Sequence, residues 1–179
     1  MPSSPSGSIF LPSILLAIPR NPVTALGLPL ALGSLNAFKT TSFVRADWFQ
    51  NLTMPPFRPP REIVPFAWSI LFLSVGYASH VAVKALDAAV TPATKSRLKL
   101  GITLYYAQIG LNLVWSPLFF GTQQPGLALI DSVLYAATTW YMTKVLHSPT
   151  KGKTTPFLLP YAAWLSYAAY LNAGIWWLN

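Results

Sequence analysis

Residues 100–130 read LGITLYYAQIGLNLVWSPLFFGTQQPGLALI and hold no charged side chain. A bilayer core is about 30 Å thick and a helix rises about 1.5 Å per residue, so one crossing takes about 20 apolar residues. The run is too long for a single crossing. It is broken at Gly121-Thr122-Gln123-Gln124-Pro125-Gly126, where glycine and proline interrupt a helix among polar residues. Two helices joined by a tight turn follow, the second continuing through Asp131 to about residue 146.

Three further stretches, 21–38, 63–83 and 154–179, are also free of Asp, Glu, Lys and Arg. Together they predict five helices, at about 22–42, 63–83, 100–120, 127–146 and 156–178. The fold class is therefore all-α, a polytopic membrane protein built as a bundle of five transmembrane helices over residues 22–179. Residues 1–21, with Pro2, Pro5, Pro12 and Pro19, are expected to form a flexible N-terminal extension. Composition excludes the soluble alternative, because 53% of the 179 residues are hydrophobic and 9% charged, against about 25% charged in a soluble domain.

Twelve Lys and Arg against four Asp and Glu give a net charge of +8. The basic residues cluster at the ends of the expected spans, which suits anionic headgroups of the lipid bilayer and not nucleic acid. With no cysteine, disulfides and thiolate chemistry are excluded. His80 and His147 are the only histidines and stand at span ends apart from any carboxylate cluster, so no metal site and no catalytic residue is assigned. Gly27 with Ala31, and Gly33 with Ala37, put small residues one turn apart on the first helix. Such pairs allow close helix approach, so self-association as a homodimer is expected, with packing inside the bundle as the alternative.

The loop 39–62 sets Trp48, Phe49 and Phe57 among Pro55, Pro56, Pro59 and Pro60. Proline fixes its own φ and extends the residue before it, so this loop is stiff enough to cap one end of a bundle; the alternative is an interfacial aromatic belt with helix-stop prolines. Inside the spans, Gln108, Asn112, Trp115 and Phe119 share one face of the third helix. Asp131, Tyr135, Thr138 and Met142 do so on the fourth, Tyr161, Trp164, Ala168 and Asn172 on the fifth, and Pro65, Trp68, Phe72 and Ser79 on the second. These stripes either stitch helices together by hydrogen bonds or line one pocket for a large, flat, mostly apolar ligand whose polar edge meets the amides and Asp131.

The segments WFQNLTMPPFRPP at 48–60, VPFAWSILFLSVGYAS at 64–79, QIGLNLVWSPLFFG at 108–121, LALID at 127–131 and PYAAWLSYAAYLN at 160–172 resemble, in order and spacing, the translocator protein family, also called tryptophan-rich sensory proteins or peripheral benzodiazepine receptors. The resemblance covers about residues 22–179. It implies a five-helix receptor or scavenger that needs no cofactor and binds porphyrin, haem, sterols and benzodiazepine-type ligands in a cavity closed by the first loop. By position, Trp48, Pro55, Pro56 and Pro60 would belong to the lid. Trp68, Asn112, Trp115, Asp131, Trp164 and Ala168 would belong to the pocket, with Phe119 on the same stripe as Trp115. A light-dependent porphyrin-degrading enzyme, with Trp68 and Trp164 at the positions linked to that activity, and a transporter of tetrapyrroles or sterols are the alternatives.

Two departures bear on the ligand. Phe57 stands where the family usually has Trp, and no Lys or Arg follows Tyr170, so the sterol pattern of animal members is absent and tetrapyrroles are favoured. The Pro- and Ser-rich start points to a eukaryote, for which the resemblance implies the mitochondrial outer membrane or the endoplasmic reticulum.

Overall fold

The computed structural model describes residues 9–179. Seven helices follow one another among them: α1 (Ser13–Arg20), α2 (Pro22–Val44), α3 (Asp47–Gln50), α4 (Ile63–Ala88), α5 (Pro92–Ser116), α6 (Pro125–His147) and α7 (Thr155–Leu178). The five long ones match the five expected from the charge-free stretches, with ends displaced by a few residues except at α5, whose start lies eight residues earlier than expected. Their starts are encoded locally. Asn21 Oδ1 accepts from Val23 N (2.8 Å) ahead of Pro22, and Thr91 caps α5 ahead of Pro92, the side-chain cap and first-turn proline that helix N-termini favour.

The expected break in 100–130 takes a particular form. Pro117 has no N–H to continue the α-helix, and the chain widens to a single π turn over Pro117–Gly121, closed by Thr122 N donating to the Pro117 carbonyl (3.1 Å). This turn buries both Phe119 and Phe120. The loop 39–62 is shorter than expected, since α2 runs on to Val44 and α3 occupies its middle.

Residues 13–20 correct the expectation of a loosely ordered start. Ile14-Leu15-Leu16-Ala17-Ile18 are enough to form α1, despite the flanking prolines. The helix bends 102° from α2 and lies across the end of the bundle. It is held there by Tyr106 Oη donating to the Leu15 carbonyl (2.8 Å), by His80 Nδ1 against the Pro19 carbonyl (2.7 Å), and by the exposed ion pair of Arg20 with Asp87 (2.8 Å). The remainder of the expected extension, with Pro2 and Pro5, lies outside the described residues.

Around the bundle the order is α2, α5, α6, α7, α4, with α4 also touching α5. Close approaches occur at glycines, as helix contacts without a strong hydrophobic drive require. A Cβ on Gly76 would stand 2.4 Å from the Ala25 carbonyl oxygen, and one on Gly33 2.0 Å from the Phe72 ring. Gly33 is therefore used for packing α2 on α4, whereas Gly27 has open space around it. The main core runs through Val75, Ala82, Leu98, Ile102, Met142, Leu158 and Leu165; a second cluster around Phe119, Phe120 and Ala128 fills the end beneath α3.

By length and composition, α4 alone among the described helices is apolar enough to cross a membrane, and α1 with α2 would add one more if counted as a single bent span. Helices α5 to α7 fall short because Lys95, Arg97 and Lys99 open α5, and Tyr, Thr and Asn punctuate the others.

Candidate functional site

At the end of the bundle that carries α3, three expected site residues converge. Trp115 stacks on Phe119 (centroids 4.9 Å apart, planes at 15°), and Trp48 meets Phe119 edge-on at 5.7 Å. Trp48 reaches this point because α3 folds back over the π turn, while the turn itself rotates Phe119 inward. Offset and edge-on aromatic pairs of this kind add roughly 0.5–1.5 kcal/mol beyond the area they bury.

The indole of Trp115 is fixed from its polar edge. Its Nε1 donates to Asn172 Oδ1 (2.9 Å), Asn172 Nδ2 donates to the Pro125 carbonyl at the start of α6 (2.8 Å), and the Ser132 hydroxyl lies 3.3 Å from the same Oδ1. One buried amide thus joins α5, α6 and α7.

Deeper in the bundle a second polar rung crosses the same three helices. Tyr161 Oη donates to Gln108 Oε1 (2.8 Å), which leaves the Tyr135 hydroxyl as donor to Tyr161. Four buried polar atoms around this rung have no partner: Gln108 Nε2, Tyr105 Oη, Asp131 Oδ2 and Trp164 Nε1. Asp131 lies one turn from Tyr135 on α6 and Trp164 one turn from Tyr161 on α7, both toward the lid. Tyr105 lies one turn from Gln108 the other way.

Trp68 and Trp164 form a separate pair, edge-on at 6.4 Å, with Phe72 stacked on Trp68 at 5.3 Å. They pack on the main core and not on the Phe119 cluster. Asn112 is half-buried, and its carbonyl accepts from Asn36 Nδ2 of α2 (3.3 Å). Ala168 is half-buried on α7. The expected lining residues thus form two aromatic groups, and the side chains of each group pack on one another. An enclosed void of about 10 Å³ lies toward the opposite end, among Ser79, Ile102, Tyr105 and Met142.

The lid is latched to α7. Pro55 is buried against Gly174, where a Cβ would come within 2.5 Å of its ring. Tyr170 Oη donates to the Pro56 carbonyl (3.2 Å) and Tyr167 Oη to the Phe57 carbonyl (2.5 Å), and Asn179 bonds both the N–H and the carbonyl of Thr53 (2.8 and 3.1 Å). Phe57 turns the chain with φ of 60°. Pro60 is exposed, and its carbonyl accepts from Ile63 N at the start of α4.

Gln108, Tyr135, Tyr161 and Asn172 are site residues that their place on the polar stripes already marked. Tyr167, Tyr170 and Asn179 carried no such signal, because their partners are backbone groups of a distant loop. Among the described residues at the site, Asp131 is the one carboxylate, and no imidazole stands with it. The arrangement offers flat aromatic faces and a few buried polar atoms.

The fold is an all-helical bundle that closes over aromatic faces and buried amides, and one of its helices, α4, is long and apolar enough to cross a membrane. Residues 25–178 match the TspO/MBR family, and the chain belongs to this family of membrane proteins. It is similar to the translocator protein homolog of Schizosaccharomyces pombe (38% identical, over 93% of this chain and 96% of that one) and to the translocator protein of Homo sapiens (36%, over 86% and 89%). It is also similar to the tryptophan-rich protein TspO of Chlorobaculum tepidum (34%, over 86% and 92%).

Proposed function

We propose that the chain is a multi-pass receptor or scavenger in which α2, α4, α5, α6 and α7 each span the membrane, and that it takes a porphyrin, haem or related flat ligand between them beneath the 39–62 loop. The observation that carries this reading is the set of four unpartnered buried polar atoms around the Gln108–Tyr161 rung, deeper in the bundle than the Trp115–Phe119 stack. Buried donors and acceptors without partners cost about 1–3 kcal/mol each, and a flat ligand with a polar edge would relieve that cost while its face lies on the indoles. The similarity to eukaryotic translocator proteins supports a place in the mitochondrial outer membrane or the endoplasmic reticulum. The open space at Gly27, with Ala31 exposed beside it, supports a homodimer through that face of α2.

Titration of the purified chain with protoporphyrin, haem and a sterol, in the dark and under light, tests this. Saturable stoichiometric quenching in the dark is expected, weakened roughly three- to tenfold by Trp115→Ala in a chain that still folds. The contact between Trp68 and Trp164 favours one second reading, light-dependent degradation, which would appear as porphyrin loss with a new absorbing product. Saturable uptake into proteoliposomes would instead mark a transporter.

A further inference from the structure

Helix α1 crosses the bundle at a defined depth. Tyr106 of α5 and His80 of α4 hold its Leu15 and Pro19 carbonyls. Both stand beside the small void where Ser79 and Ala82 of α4, Gly101 and Tyr105 of α5, and Leu146 of α6 meet Leu158 of α7, which sets these residues on one level. Because α2 runs along α4, with Ala25 at Gly76 and Gly33 at Phe72, the 102° bend between α1 and α2 turns α1 nearly at right angles to the long helices.

The charge of the chain divides at that depth. On the lid side of it, 63–83 in α4, 100–116 in α5 and 158–179 in α7 carry no charged side chain. On the other side come Lys84, Lys95, Arg97, Lys99, Lys151 and Lys153, all exposed but the half-buried Lys99. Of the four acids, Asp47 and Glu62 belong to the lid end and Asp131 to the interior, and Asp87 is taken by Arg20 of α1. The layer beyond α1 is therefore positive with no acid left to oppose it. It begins one turn past His80, at Lys84, which is about 6 Å of helix rise.

One side of α1 faces the bundle, where Leu11 and Leu16 pack on the main core. The other side is bare: Ile14, 62% exposed, shares a face with exposed Ala17, and Phe10 just ahead of the helix is 87% exposed. An in-plane helix whose bare apolar side lies about 6 Å beneath a basic layer has the geometry of an interfacial anchor, which sinks about 5–10 Å into the boundary between headgroups and acyl chains. We propose that α1 is such an anchor, with Phe10, Ile14 and Ala17 entering the outer acyl region of a leaflet whose anionic headgroups are drawn by Lys84, Lys95, Arg97 and Lys99. Each basic residue near an anionic surface adds attraction. Through the Tyr106 and His80 bonds the anchor fixes the depth of α5 and α4 as well. The inference rests on the membrane-spanning reading but not on the interior ligand.

The chain has no cysteine, so a single introduced one can carry a nitroxide. Its collisions with oxygen, which partitions into lipid, and with a water-soluble nickel chelate read its depth. The test uses the full chain in phosphatidylcholine nanodiscs with increasing phosphatidylglycerol. At Ile14→Cys the ratio of oxygen to nickel collisions should rise about threefold, half of the change coming by about 10 mol% phosphatidylglycerol, while Ser96→Cys in the basic layer stays aqueous. The triple variant Lys84→Gln, Lys95→Gln and Arg97→Gln should need about threefold more phosphatidylglycerol. An aqueous Ile14 probe, a ratio indifferent to phosphatidylglycerol, or an unchanged requirement in the triple variant overturns the proposal. So does shielding from both reagents, which marks a cover of protein, whether an earlier segment of the chain or a second copy. Leu73→Cys, on an exposed face of α4 midway along 63–83, reads the span separately: Leu73 in lipid with Ile14 in water sinks this inference alone, and Leu73 in water sinks the spanning reading with it.

Discussion

Asn172→Leu replaces a buried amide with an apolar side chain of similar size and removes the junction of three helices. Asn172 accepts from Trp115 Nε1 and donates to the Pro125 carbonyl. Interhelical hydrogen bonds in membranes are worth about 0.6 kcal/mol on average and about 1.7 at most, so losing two costs about 1–3 kcal/mol. Leaving the Trp115 N–H buried without an acceptor adds about 1 kcal/mol or more, for a total of about 2–4 kcal/mol. At this chain length each kcal/mol moves the melting temperature by about 2–4 °C, so the variant should melt roughly 5–15 °C lower in detergent. Trp115→Phe deletes the donor beforehand, so Asn172→Leu on that background should cost about 2 kcal/mol less than in the native chain. Melting of Asn172→Leu within about 1 °C of the native chain, or strict additivity of the two substitutions, would refute the junction.

Gly76→Ala should destabilise by about 1–3 kcal/mol, because its methyl meets the Ala25 carbonyl, while Gly27→Ala, with open space around it, should be neutral or stabilising; chemical or thermal denaturation compares the two, and equal effects would contradict the α2–α4 contact. Asp131→Asn keeps the size of a buried side chain and removes its charge, so it should change porphyrin affinity or its pH dependence more than expression; binding indifferent to both Asn and Leu there would place Asp131 outside the site. The Arg20 guanidinium, hydrogen-bonded to Asp87, holds that carboxyl below its ordinary range. The contribution of the pair is thus present above the ordinary carboxylate pKa and lost as pH falls below it, so amide protection in Ser13–Arg20 should drop in strong acid or high salt, and at neutral pH in Asp87→Asn. Protection that ignores all three would detach α1 from this ion pair.

The long helices were legible because charge and helix breakers mark their limits within the sequence itself. The Gly121–Gly126 segment announced an interruption, although its form, a π turn from Pro117 that buries two consecutive phenylalanines, depends on the packing of α3 above it. The first helix was obscured by its prolines: Pro12 stands at the N-cap, where no N–H is needed, and Pro19 in the last turn frees the Leu15 carbonyl, which accepts from Tyr106 instead. Within the site, intrahelical spacing grouped Gln108 with Trp115 and Tyr161 with Asn172. It could not say that Trp115 would bond Asn172 or that Tyr161 would bond Gln108, since those partners are 57 and 53 residues apart. The lid latch was least legible, because a backbone carbonyl at Pro56 or Phe57 has no signature in the sequence.

The polar rung bears on how a site inside a membrane could discriminate at all. Lipid tails surround such a protein at high concentration and are as apolar as its own side chains, so burial of hydrocarbon gives an interior ligand little advantage over an acyl chain. Selectivity must come from contacts that a hydrocarbon cannot make. Gln108 Nε2 and Trp164 Nε1 require an acceptor, and Asp131 Oδ2 accepts from a donor. An acyl chain entering among them would leave all three unpaired, at about 1–3 kcal/mol each. On the proposed function, a flat ligand that carries both acceptor and donor groups on its edge would satisfy them and would stack on an indole as well. Its entry would require the lid to part from Tyr167, Tyr170 and Asn179, bonds to backbone that can reform unchanged once it has passed. The unpaired interior atoms would then set which molecule stays, and the latch how readily it arrives.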